Sequence, residues 1–431
     1  MKNLHRALEI HQQYGWRTLR DKVLRRLVRQ NTWDIYSQEA QVSAQLFDFS
    51  AQDLQASQQV QRTTPEQLDI NRLTWFLPEF KYAYYGGIYT ILRLADFLTR
   101  NQAVQHEFKI LGSIDSGQIA QQIATSFPAL AGQPVESFQH LQQVKRFSAS
   151  DAAIATLWGT AYALLHYNQT RRKFYFLQDY EPLFYPAGTI SAQVEASYRF
   201  GFYGIANTPT LAELYTQSFN GTAAGTTAGT TISFTPCVDP HIFYPPAQPT
   251  VTEPYTVFFY GRPGHPRNGF ELGAQALRLL KQRLGKRIRI LSAGDDWQPL
   301  RHDLHGVVEN LGLLDYAATA QLYRTCHAGL VMMFTRHPSY LPLELMACGS
   351  LVVSNYNPAT TWLLKHQENC LLSEASATCL ADTLQQGLLD HSFRQQITTQ
   401  ALSQVQASFR NWDFEMERIY QFMTGAIGAQ K

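Results

Sequence analysis

The sequence predicts an α/β protein with two doubly wound, parallel-sheet domains and an N-terminal helical extension, on three observations. From about residue 70, short β-branched and apolar runs alternate with helical patterns, which is the pattern of βαβ units. The alternation is broken by the stretch Pro236–Pro254, which holds Pro240, Pro245-Pro246 and Pro249 and few helix formers, and then resumes. The chain has 431 residues, the length of two or three domains at ~150 residues each.

Residues 1–65 read as helical and Gln-rich up to the break at Thr63-Thr64-Pro65. Within them Trp16, Leu19, Val23, Leu24, Leu27 and Val28 form an apolar stripe at three- and four-residue steps, and Arg17, Arg20, Lys22, Arg25, Arg26 and Arg29 occupy much of the rest. Such a helix either packs on its own domain with a solvated charged face, the commoner arrangement, or touches the anionic inner face of the cell membrane through residues 16–29. Residues 66–248 are expected to form the first domain, with strands near 72–78, 107–111, 152–157, 173–178, 201–206 and 231–234. The Gly/Thr/Ala-rich stretch Phe219–Gly229 lacks the lysine of a Walker loop and reads as a flexible loop. Residues 249–410 should form the second domain. Its first half reads as strand Tyr255–Tyr260, helix Gly269–Arg283, strand Ile288–Leu291 and a short strand near Val307. Helix Tyr316–Thr325, strand Leu330–Phe334, helix Leu343–Ala347 and strand Leu351–Ser354 follow. In residues 411–431 a last helix, about 411–425, is expected to pack back on the first domain.

Composition narrows the function. Lys plus Arg number 36 against 34 Asp plus Glu, and a net charge of +2 is too small to hold nucleic acid by neutralising phosphates. Charged residues make up 16% of the chain, below the ~25% of an ordinary soluble domain. The 25 Phe, 22 Tyr and 7 Trp supply surface that is both apolar and hydrogen-bonding, suited to sugar and nucleotide pockets as well as to cores. Five cysteines without a CxxC signal neither a disulfide framework nor a zinc site, so a reducing compartment is expected. The start MKNLHRALEI lacks an apolar segment with a cleavage site, and no run of 18 apolar residues occurs, which points to a cytoplasmic protein that does not span a membrane.

Two segments of the second domain carry chemistry. Gly261-Arg262-Pro263-Gly264-His265-Pro266-Arg267-Asn268-Gly269 follows a predicted strand and opens a helix, so two guanidiniums on an open loop can close on a diphosphate or remain ordinary surface arginines. In Thr335–Gly349, Pro342 suits a first helical turn and Gly349 a helix stop, which sets Glu344 in the first turn, facing the strand-end crevice. There its carboxylate can accept from two ribose hydroxyls or simply complement the helix dipole. In the first domain, Gly86-Gly87 lets backbone amides approach a phosphate or sugar, or makes a tight turn. Gln178, Asp179 and Glu181 lie just past a predicted strand and should face the interdomain cleft, where amide and carboxylates suit sugar hydroxyls. Trp158 and His166 lie nearby, His166 with a structural role.

Arg262 with a second cation five residues on, Gly294-Asp295 after the next strand, and Leu343–Gly349 with Val352-Val353 behind it resemble the C-terminal half of the GT-B glycosyltransferases of family 4. Arg267 stands where that family usually has Lys, and the first acid of the family's E-x7-E pattern falls on Arg336. His337-Pro338-Ser339-Tyr340, Gln178–Pro182 and Gly86–Tyr89 are similar to bacterial rhamnosyltransferases that build surface polysaccharides from dTDP-β-L-rhamnose with retention. The resemblance spans about residues 70–410, strongly in the second domain. It implies two Rossmann-like domains facing across a cleft and no cofactor beyond the nucleotide sugar; no D-x-D occurs and Asp179-Tyr180-Glu181 comes from the acceptor half, so no essential metal is expected. Arg262, Arg267 and Glu344 would hold the reacting donor, with Gly86, Gly87, Gly261, Gly294, Asp295, His337, Pro338, Ser339, Tyr340 and Leu341 around it. Gln178, Asp179 and Glu181 would face a glycan or lipid-linked glycan acceptor. Retention would follow from same-face attack, a phosphate oxygen assisting deprotonation of the acceptor. The alternatives are a retaining hexosyltransferase using a UDP- or GDP-sugar, and a catalytically silent nucleotide-sugar-binding or interaction module.

Overall fold

The computed structural model describes residues 35–84, 86–218, 231–248 and 252–425. The basic stripe of residues 16–29 and the stretch 219–229 lie outside the described residues. Two parallel sheets form two lobes. The first contains β1 (Arg72–Pro78), β2 (Gln105–Leu111), β3 (Val135–Phe138), β4 (Ser150–Ala155), β5 (Thr170–Leu177), β6 (Tyr203–Ala206) and β7 (Thr231–Ser233), in the order β3-β2-β1-β4-β5-β6-β7. The second contains β8 (Tyr255–Tyr260), β9 (Ile288–Ala293), β10 (Glu309–Asn310), β11 (Ala328–Leu330), β12 (Leu351–Asn355) and β13 (Leu371–Ser373), in the order β10-β9-β8-β11-β12-β13. Register is continuous across the centre of each sheet: Trp75 pairs with Phe108 and Ile154, and Val257 with Ile290 and Ala328.

Both faces of both sheets are covered, so the strands read as near-continuous apolar runs. Trp75, Ile154, Phe174 and Phe176 point into one core of the first lobe, while the alternating Phe76, Ala153, Tyr175 and Leu177 point into the other. In the second lobe Val257 and Phe259 oppose Phe258 in the same way. Helix α1 (residues 35–46) and α2 (Ala51–Arg62) lead into the first lobe, where Phe47, Phe49 and Leu54 pack on its second core. The last helix, Trp412–Thr424, inserts Trp412, Met416, Ile419 and Met423 into the first core.

Adjacent cations on β5 tie these end segments to the sheet. Arg172 donates to Met423 O (2.8 Å), Pro65 O (2.6 Å) and Glu66 O (2.9 Å). Lys173 Nζ donates to Ser57 Oγ (2.9 Å), Leu165 O (3.1 Å) and Asn168 Oδ1 (2.8 Å). Burial lowers the pKa of both, and the three acceptors around Lys173 make its charged form tolerable inside the lobe.

Sequence and structure differ at edges and strand ends. The expected strand Leu330–Phe334 is corrected to Ala328–Leu330, because side chains take over the ladder beyond it. Asn355 Oδ1 accepts from Met333 N (2.8 Å), and Asn357 Nδ2 donates to Met333 O (3.1 Å) and Thr335 O (2.6 Å). The strand expected near Val307 lies at Glu309–Asn310, since Val307 N closes a turn on Leu304 O (2.9 Å). The four-residue β3 and three-residue β13 are too short and mixed for a periodic signal. No helix among the described residues is long and apolar enough to cross a membrane.

Candidate functional site

In an open parallel sheet the crevice for a ligand lies beyond the strand C-termini, where the strand order reverses. Here that is the end of β1 beside β4 in the first lobe, and of β8 beside β11 in the second. The two crevices meet in a cleft of about 470 Å³, within the usual range for small-molecule sites. Its first-lobe wall comprises Pro78 at the end of β1, Thr156-Leu157 after β4, the start of helix α3 (Gly86–Gln102), and Gln178, Asp179, Glu181 and Phe184 after β5.

The second-lobe wall begins with the loop after β8. Arg262 and Arg267 both line the cleft. Arg262 Nη1 donates to Tyr260 OH (3.2 Å), and its Nη2 meets the imidazole Nε2 of His265. Burial and the two guanidiniums lower His265 to about 4, so its ring is neutral at neutral pH and accepts from Arg262. Arg267 lies over the Phe184 ring of the opposite lobe, 4.6 Å from its centroid. Gly294, at φ +121, brings the backbone after β9 against the Tyr260 ring, a position that excludes a Cβ.

Beyond β11 the chain passes His337, Ser339, Tyr340 and Leu341 into the helix Leu341–Ala347, all on the cleft wall with Glu344. Ser339 is held at φ +66, and His337 Nδ1 accepts from its N–H (3.0 Å). Burial, then Arg267, drives His337 down to about 3, fixing a neutral ring. The Tyr340 hydroxyl is shared between Thr90 Oγ1 (3.0 Å) and Asn207 Nδ2 (2.7 Å) of the first lobe. Both contacts join the lobes, which leaves the phenol largely occupied by protein.

Burial dominates the three cleft carboxyls. Glu344 is pushed up to about 8. Asp179 rises to about 6, with Arg267 pulling the other way. Glu181 rises to about 8 although its Oε2 accepts from Trp158 N (2.6 Å) and Tyr175 OH (3.1 Å). Those two donors occupy Glu181 within the first lobe, whereas Asp179 Oδ1 accepts from the adjacent Tyr180 N (2.8 Å) and the carboxyl faces Thr335 and Arg267 of the second lobe. Gln178 Nε2 donates to Gly87 O (2.7 Å), so the amide anchors the start of α3.

Of the residues singled out in the sequence, Gly261, Asp295 and Pro338 are absent from the cleft wall. Gly261 O accepts from Trp297 Nε1 (3.0 Å), Asp295 Oδ1 caps Asp296 N (2.8 Å), and Pro338 is buried in the loop behind Tyr340. Neither Gly86 nor Gly87 has a positive φ, and a Cβ at either meets ordinary contacts of 3.7 and 3.4 Å. Arg336 is exposed and off the wall. His166 is structural, its Nδ1 3.2 Å from Asp53 Oδ1. Sequence reasoning missed Phe258, Leu313, Leu314, Tyr316, Thr319 and Tyr323, which line the far end of the second-lobe wall. Phe258 lies on β8, whereas Leu313 and Leu314 lead into the helix Tyr316–Thr325, whose Tyr316, Thr319 and Tyr323 share one face at a spacing that reads in sequence as core. Among the described residues no group of three or more His, Cys, Asp or Glu is placed to hold a metal ion.

Known proteins share this architecture. The C-terminal domain family of WsaF matches residues 255–385. The chain is similar to the O-antigen biosynthesis protein RfbC of Myxococcus xanthus, 40% identical over 398 residues, which is 91% of this chain and 29% of that protein. It therefore spans under a third of the length of that relative. Among solved structures, HepE of Anabaena in complex with UDP and glucose aligns at TM-score 0.63 and 16% identity, covering 82% of this chain and 100% of that one. Sucrose-phosphate synthase of Thermosynechococcus elongatus aligns at TM-score 0.62 and 16% identity with the same coverage. WaaG, a glycosyltransferase involved in lipopolysaccharide biosynthesis, aligns at TM-score 0.59 and 12% identity, again over 82% and 100%. The architecture is that of the GT-B glycosyltransferases.

Proposed function

From a GT-B fold with two arginines and a buried carboxyl on one wall of its cleft, we propose that the protein is a glycosyltransferase moving a sugar from a nucleoside diphosphate to a glycan acceptor in surface-polysaccharide assembly. The observation that carries this is the meeting of Arg262, Arg267 and Glu344 in one cleft at the strand C-termini. The two guanidiniums would take the diphosphate by charge-assisted bonds and hold the charge that develops as it leaves. Glu344 would accept from the ribose hydroxyls. The acceptor would enter along the first-lobe wall and meet Asp179, the carboxyl there that faces the second lobe rather than the first-lobe core. Attack on the face the diphosphate leaves, with a phosphate oxygen assisting the proton, gives retention without a protein nucleophile.

Two donors compete. A uridine diphosphate sugar is favoured by Glu344, which can take both hydroxyls of a ribose but only one of a 2′-deoxyribose, and by the UDP held in the similarly folded HepE. The resemblance of His337–Tyr340 and Gln178–Pro182 to rhamnosyltransferases favours dTDP-β-L-rhamnose. A thermal-shift screen with UDP, dTDP, GDP and ADP separates them, because a ligand that binds only the folded chain raises its melting temperature. The largest shift should come from UDP or dTDP and be lost in Glu344→Ala and Arg262→Ala. No shift with any nucleotide would sink the reading. Release or transfer of labelled sugar from the preferred donor distinguishes an enzyme from a silent binding module.

A further inference from the structure

We propose that Asn268 determines sugar specificity by hydrogen-bonding a hydroxyl of the transferred sugar, an inference that rests on the glycosyl-transfer reading above. Asn268 follows Arg267 directly, is 2% exposed, and lines the cleft. Neither its Oδ1 nor its Nδ2 has a hydrogen-bond partner among the described residues. Buried amides are almost always paired, and one left unmet at both ends destabilises the empty fold.

The loop does not need this side chain. His265 N donates to Arg262 O (3.0 Å), Asn268 N to His265 O (3.0 Å), Gly269 N to Pro266 O (3.1 Å) and Phe334 N to Arg267 O (2.9 Å). The helix that follows, Phe270–Leu284, starts from Gly269 with no side-chain cap. Asn268 thus makes neither of the contacts that usually explain an asparagine at such a turn.

Donor and acceptor chemistry then selects the ligand group. Oδ1 only accepts, so its partner must carry an O–H or N–H, which excludes the oxygens of an ionised diphosphate. Nδ2 needs an acceptor, and a pair of adjacent hydroxyls satisfies both ends of the amide. With Arg262 and Arg267 on the phosphates, the neutral amide that follows Arg267 on the same wall meets the sugar.

The test is Asn268→Leu in the full chain, an apolar replacement of similar reach. The empty variant should melt at the native temperature or above, since no bond is lost and an unmet amide is removed. UDP, dTDP or GDP should shift both proteins equally. In the native protein at least one of UDP-glucose, dTDP-β-L-rhamnose and GDP-mannose should exceed the shift of its own nucleoside diphosphate. That excess should vanish in the variant, and sugar release from the same donor should fall roughly 10- to 100-fold. A lower melting temperature for the empty variant would show that the amide holds the loop and would overturn the proposal. The same excess in both proteins, or none in either, would overturn it as well. Nucleotide binding without a sugar excess removes this inference alone, whereas no nucleotide binding at all removes the transfer reading with it.

Discussion

Arg262 and Glu181 are both inside the cleft wall, yet their surroundings give them opposite tasks. Arg262 is braced by Tyr260 and by a neutral His265, with its buried Nε unpartnered, so the guanidinium is oriented before a ligand arrives. Hydrogen bonds to charged groups contribute ~1.5–3 kcal/mol, so Arg262→Ala is expected to weaken nucleoside-diphosphate binding roughly 10- to 100-fold by titration calorimetry. Glu181 is spent on Trp158 and Tyr175, and its consequence is for stability. Between its ordinary value of 4.5 and about 8, the folded chain holds a proton that the unfolded chain has released. Stability therefore falls as pH rises through that window and falls no further on this account above it. Asp179 and Glu344 act in the same direction. In Glu181→Gln one of the three is removed, so its melting temperature should decline less than the native one between pH 5 and 8; equal declines would contradict the assignment.

At the scale of elements, the loop between β8 and the helix Phe270–Leu284 is shaped by Gly269. Its φ of +58 and the Phe334 ring packed where a Cβ would stand make it intolerant of a side chain. Gly269→Ala is expected to destabilise the chain by at least ~1–2 kcal/mol from the left-handed backbone alone, read from a urea midpoint. It should also weaken nucleotide binding, because Arg267 precedes it by two residues. This loop was legible in the sequence: the cations, glycines and prolines are local, and a strand-to-helix turn fixes where they go. Phe258, Tyr316 and Tyr323 were not, because an aromatic in a strand or helix reads as core until a second element leaves space beside it. The end of β11 was misjudged for a related reason. Val331-Met332-Met333 is buried like a strand, but its backbone partners include the side chains of Asn355 and Asn357, more than 20 residues away.

For the whole molecule, the two lobes are joined by side chains as well as by covalent crossings. Tyr340, at the start of the Glu344 helix, reaches Thr90 and Asn207 of the first lobe, while Thr210 Oγ1 donates to Ala359 O (3.1 Å) across the same boundary. Tyr340→Phe keeps the ring and removes both phenol contacts, each worth about 1 kcal/mol. The expected result is a broader distribution of interlobe distances, measured between spin labels on Lys145→Cys and the exposed native Cys379; the other four cysteines are buried. An unchanged distribution would mean that Tyr340 does not set the lobe spacing. The last helix binds the lobes differently, leaving the second sheet and placing Ile419 and Met423 fully inside the first core.

The sequence by itself determined the fold class, the succession of elements along the chain, and the loops that carry Arg262, Arg267 and Glu344. Those features rest on periodicity and turn chemistry, which act over a few residues and are written locally. Only the tertiary structure decided which polar groups are free for a ligand. Glu181 and the Tyr340 hydroxyl are occupied by Trp158, Tyr175, Thr90 and Asn207, while the Asn268 amide is left unmet. Whether a buried donor or acceptor is satisfied depends on atoms brought within 3 Å from distant parts of the chain, and no local pattern encodes that distance.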